Sequence, residues 1–104
     1  FRSATHQTME DVALMRALPG MVVINPCDYN QTKAATIAAA KYEGPVYLRF
    51  GRPSVPNFTP ENQVFEIGKA YVMNEGKDVT IMAISCGRLS VLLKSLKARA
   101  SAQR

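Results

Sequence analysis

The 104-residue sequence is poor in the residue types that most often announce chemistry. It holds one histidine, His6, two cysteines, Cys27 and Cys86, and no tryptophan. One imidazole and two distant thiols offer no Cys/His metal spacing, and two cysteines make no disulfide framework. No apolar run nears the ~18 residues that span a bilayer. The opening "FRSATHQ" has no hydrophobic stretch of the signal-peptide kind and no initiator methionine. The expectation is therefore a cytoplasmic chain that does not engage a membrane and begins inside a longer one. Acidic residues are missing after Asp78, while Arg88, Lys94, Lys97, Arg99 and Arg104 follow it. Those five account for the whole net charge of +5, because the remaining eight bases are balanced by eight acids. A phosphate-tracking surface needs a basic face built into the fold. Here the excess belongs to one terminal segment, so nucleic acid is not an expected partner.

What remains is patterned. Thr8, with Asp11 three residues on, reads as the start of a helix carrying Val12, Met15 and Leu18 at helical spacing. Pro19-Gly20 ends it. "MVVIN", residues 21–25, reads as a buried strand. Asp28 is placed to cap a second, alanine-rich helix, with Gln31 at its third position. Gly44 and Pro45 stop that helix, and "VYLRF", residues 46–50, is the next strand. Two strands joined through a helix imply a parallel pair. Two strands alone leave edges and faces uncovered, which predicts self-association.

Residues 51–64, "GRPSVPNFTPENQV", carry three prolines and little periodicity, the signature of a linker. "KAYVMNEGKDVTIMAI" reads as two strands around a turn at Asn74-Glu75-Gly76-Lys77, and "SVLLKSLKARA" as a basic amphipathic helix. The expected fold class is α/β: an incomplete parallel-sheet (Rossmann-like) three-layer fragment, followed by a β-hairpin and a terminal helix.

Three stretches carry a family likeness. "ATHQTMEDVALMRALPGMVVINPCD", "YEGPVYLRFGRP" and "FEIGKAYVMNEGKDVTIMAI" resemble transketolases, and most closely their separately encoded C-terminal subunit. The resemblance implies the end of a pyrimidine-binding domain over 1–52, a linker over 53–64, and the start of a C-terminal domain with a divergent basic tail over 65–104. It implies a transferase that moves a two-carbon ketol unit between sugar phosphates, using thiamine diphosphate and Mg²⁺ in the complete assembly. In that family the histidine of the Thr-His-Gln motif reaches the reacting centre, which maps to His6. The arginine of "FGRP" binds the substrate phosphate, which maps to Arg52. An imidazole donates or accepts near neutral pH, and a guanidinium fork suits a phosphate.

The chain departs from the family pattern at the motif's edge, where Arg2 stands for an aspartate and Ser3 for a glycine. The cofactor-activating glutamate, the aromatic residues that stack on the cofactor and the Gly-Asp-Gly metal motif have no counterpart here. The resemblance therefore implies no cofactor or metal on the isolated chain, no activity alone, and a complementary N-terminal subunit or a homo-oligomer as partner. Two further readings stand beside it. One is a non-catalytic α/β binding or oligomerisation module. The other is a small hydrolase of esters or lactones using Cys27 or His6, since Cys27 precedes a helix start that acidifies a thiol.

Overall fold

A computed structural model describes residues 8–52 and 54–83. Four elements follow in chain order: α1 (Asp11–Ala17), β1 (Val22–Ile24), α2 (Tyr29–Ala40) and β2 (Val46–Leu48). The strands pair in parallel, with Val22, Val23 and Ile24 opposite Val46, Tyr47 and Leu48. One further bond extends the ladder at each end: Val22 N–H donates to the Pro45 carbonyl at 3.0 Å, and Arg49 N–H to the Ile24 carbonyl at 2.9 Å. The parallel pair and its helical crossover are those expected from the order of elements.

Each junction has a local cause. The Leu18 carbonyl accepts from Met21 N–H at 3.3 Å, and Gly20 sits at φ +74°. Pro19-Gly20 thus makes a turn that requires a positive φ at its third residue. Space is open around Gly20, so a methyl group there would meet no atom. Gly20→Ala is therefore a test of backbone strain alone. It is expected to cost about 1–2 kcal/mol in chemical denaturation; an unchanged midpoint would show that the turn relaxes freely. Gly44 differs: at φ +154° a Cβ would lie 2.8 Å from the exposed Tyr42 ring, which would have to swing aside, so it is the backbone that selects glycine.

α2 begins as its sequence demands. Asp28 caps it, Oδ1 accepting from Gln31 N–H at 2.9 Å, while Gln31 Oε1 accepts from Cys27 N–H at 2.9 Å. This is a reciprocal cap displaced by one residue from the usual box. Ala35 is fully buried on the helix's small face, with Ala38 and Ala39 half-buried.

α1 departs from expectation. Glu10, not Thr8, stands at its N-cap, and no side chain caps it. Thr8 is exposed, and Asp11, the other half of the expected cap, is turned inward to partners on β2. Val12 and Met15 are half-buried, whereas Leu14 and Leu18 stay exposed.

The expected β-hairpin is also corrected. Residues 69–83 form no strand. Val72, Val79 and Met82 are 64%, 76% and 91% exposed, so no sheet or helix among the described residues covers the apolar side of the segment. A lone two-stranded hairpin is marginal in water without such cover. The expected terminal helix lies outside the described residues. Among the described residues no helix is long and apolar enough to cross a membrane.

Phe58 and Thr59, within the stretch 53–64, are anchored to the start of α2. Asn30 Nδ2 donates to the Thr59 carbonyl at 2.7 Å, and the Asp28 carboxylate receives both the Phe58 and the Thr59 amides.

Candidate functional site

In open parallel sheets ligands gather outside the carboxyl ends of the strands. Here that edge is built from two buried carboxylates and the segments they hold.

Asp28 is the first. It is 2% exposed and accepts four hydrogen bonds. Oδ1 takes Gln31 N–H at 2.9 Å and the Thr59 hydroxyl at 2.6 Å. Oδ2 takes the amides of Phe58 and Thr59 at 2.9 and 2.7 Å. The Thr59 hydroxyl in turn accepts from Gln63 Nε2 at 2.7 Å. Burial pushes the Asp28 carboxyl up, but the Thr59 hydroxyl and the three amides outweigh it and hold the pKa below its ordinary 3.8. The group is therefore a carboxylate at neutral pH and a structural node.

Asp11 is the second, 7% exposed on the first turn of α1. Its Oδ2 accepts from Tyr47 Oη at 2.8 Å and from Arg49 Nε at 2.9 Å. The Tyr47 hydrogen bond lowers its pKa most; burial opposes this, and the Arg49 hydrogen bond and charge add to the lowering. The same hydrogen bond raises the Tyr47 pKa above its ordinary 10.0, since the carboxylate favours the protonated phenol. Asp11 Oδ1 and Asn25 Nδ2 are buried polar atoms with no hydrogen-bond partner among the described residues.

His6 lies outside the described residues, five positions before Asp11. Arg52 is exposed, three residues beyond Arg49 on the segment leaving β2. Cys27 is half-buried just ahead of α2, with its amide engaged by Gln31. The structure thus places Arg52 at the carboxyl edge and holds the start of α1 against the end of β2. Sequence reasoning missed Asp11, Tyr47 and Arg49 as a group. One signal was available: Arg49 is a charge inside the apolar run "VYLRF", and a charge leaving a buried strand needs a partner.

Comparison with known proteins agrees with this architecture. Residues 1–57 match the family model for the transketolase pyrimidine-binding domain. A putative transketolase C-terminal section from Methanocaldococcus jannaschii is 46% identical over 82 residues, covering 77% of this chain and 26% of that protein. A 6-deoxy-6-sulfo-D-fructose transketolase subunit, SqwH, from a Clostridium species is 46% identical over 79 residues, covering 76% and 24%. Among solved structures, a split-gene transketolase in an inactive β4 tetramer superposes with a TM-score of 0.83 at 45% identity. It covers 93% of this chain and 33% of that one. The chain spans about a quarter of the length of these curated relatives. With the expected parallel pair formed and more than half of its residues matched to the pyrimidine-binding domain, the chain belongs to the transketolase family.

Proposed function

We propose that this chain forms one wall of a transketolase-type active site in the cytoplasm, inactive alone and completed by another chain. The reaction is transfer of a two-carbon ketol unit between sugar phosphates. The observation that carries the reading is the tie from Asp11 to Tyr47 and Arg49. It holds the chain that follows His6 against the strand end that leads to Arg52. His6 stands five positions before Asp11 in sequence, a tether of at most about 17 Å at full extension. Arg52 offers its planar fork of donors to the substrate phosphate. His6 donates to or accepts from substrate hydroxyls near the reacting carbon, a role suited to a group that titrates near neutrality.

The described residues do not fit the metal that such enzymes use. Among them, no three His, Cys, Asp or Glu side chains converge on one point. Asp28 and Asp11 are already committed to Thr59, Phe58, Gln31, Tyr47 and Arg49. Thiamine diphosphate and Mg²⁺ belong to the complete assembly, in which this chain binds and orients the sugar phosphate.

The test is reconstitution. The chain, an intact cofactor-binding subunit, thiamine diphosphate and Mg²⁺ are expected to give ketol transfer together and none separately. No turnover and no cofactor binding by the mixture would confine the reading to ancestry.

Self-association is part of the same proposal. Both strands of a two-stranded sheet are edges, and Leu14, Phe50 and Val72 expose apolar surface. Light scattering is expected to show an assembly that His6→Ala leaves intact; a monodisperse monomer at high concentration would contradict it.

A further inference from the structure

Asp11 presents an unusual use of a carboxylate. It opens α1 but does not cap it, since no side-chain cap bond is made there. Its side chain instead reaches residues 36 and 38 positions away in sequence. Both bonds fall on a single oxygen, and the other oxygen is buried and has no hydrogen-bond partner among the described residues.

We infer that Asp11 is a positioning residue that locks the start of α1 to the end of β2 and so fixes the segment that leads to Arg52. The inference rests on the role proposed above for Arg52. Three points support it.

The first is where Arg49 sits. Its amide is bonded to the Ile24 carbonyl at 2.9 Å and its Nε to Asp11 at 2.9 Å. Arg49 is thus held by β1 through its backbone and by α1 through its side chain, three residues before Arg52.

The second is the kind of contact. An apolar contact between a helix and a strand tolerates a small slide. Two donors converging on one oxygen at 2.8 and 2.9 Å do not. Buried ion pairs are weak devices for stability, and their best-attested use is to fix register.

The third is the orphaned Oδ1. Here one oxygen does the locating, and the other bonds none of the described residues. This also supplies a discriminating variant. In Asp11→Asn the amide nitrogen takes the orphaned position, and the remaining oxygen still accepts from Tyr47 and Arg49. The geometry is kept while the charge is removed.

The experiment has two arms, both on the full chain. In the reconstituted assembly, Asp11→Ala is expected to raise the KM for the sugar phosphate about tenfold, because a displacement near 1 Å is enough for losses of this size. Asp11→Asn is expected to restore most of that loss. Amide exchange is read in parallel. Asp11→Ala should speed exchange at Arg49 about tenfold and leave the middle of α2 unchanged, which separates a local release from unfolding. The inference is overturned by an unchanged KM in Asp11→Ala, by unchanged Arg49 exchange, or by an Asp11→Asn variant as impaired as the alanine. If the wild-type mixture shows no turnover, the functional reading has failed, and Arg49 exchange alone decides whether the lock exists.

Discussion

Asp28→Ala is expected to lower the stability of the chain by about 3 kcal/mol. The four hydrogen bonds explain the size. Alanine accepts none of them, and the amides of Gln31, Phe58 and Thr59 lose their acceptor in a site that is 2% exposed. Losing an N-cap alone costs about 1 kcal/mol, and each buried amide left unpaired adds a similar amount. Urea unfolding followed by circular dichroism measures this directly, and a loss under ~1 kcal/mol would mean that the node is replaced by water. The pH dependence has a definite sign. The folded pKa of Asp28 lies below 3.8, so its contribution is fully present above that value and is lost as pH falls through the lower folded one. Asp11 shifts in the same direction. Asp28→Asn should therefore flatten the acid limb of stability without abolishing it, and an unaltered limb would contradict the assignment.

His6→Ala, in the chain reconstituted with its complementary subunit, is expected to lower kcat by about 10²–10³. A positioned imidazole acts mainly where charge and protons move, so its removal shows in kcat and kcat/KM together. Arg52→Ala should behave differently. A phosphate that does not react is bound equally before and during the reaction, so its loss should raise KM more than it lowers kcat. Steady-state kinetics with one sugar phosphate separates the two. A His6→Ala variant within threefold of wild type would remove His6 from the site, and an unchanged KM in Arg52→Ala would remove Arg52.

The elements whose causes are local could be read from the sequence. Asp28 and Gln31 are three residues apart, and their cap needs nothing beyond that turn. Pro19-Gly20 requires its turn wherever it falls. The parallel pairing followed from the length of the crossover. What escaped were the links that close over long separations. Thr8 looked like a cap because Asp11 stood three residues on, but Tyr47 and Arg49 take that carboxylate from 36 and 38 residues away. The stretch holding Phe58 and Thr59 gives no local sign of its anchor, because the partner is Asp28, 30 and 31 residues back. The hairpin over 69–83 failed for a related reason. Strand patterning records a readiness to pack, and Val72, Val79 and Met82 show that no covering surface is supplied by the described residues.

The small interior has a thermodynamic consequence. Among the described residues, Ile24 and Ala35 are the apolar side chains that form the buried core, whereas Leu14, Phe50, Val72 and Met82 face outward. Ordering the backbone costs roughly 1–2 kcal/mol per residue, and so little interior offsets only part of that. On the proposed assembly, the rest comes from surface covered by neighbouring chains. Folding and association are then a single equilibrium governed by mass action. The melting temperature becomes a function of protein concentration, and dilution acts on this chain as a denaturant.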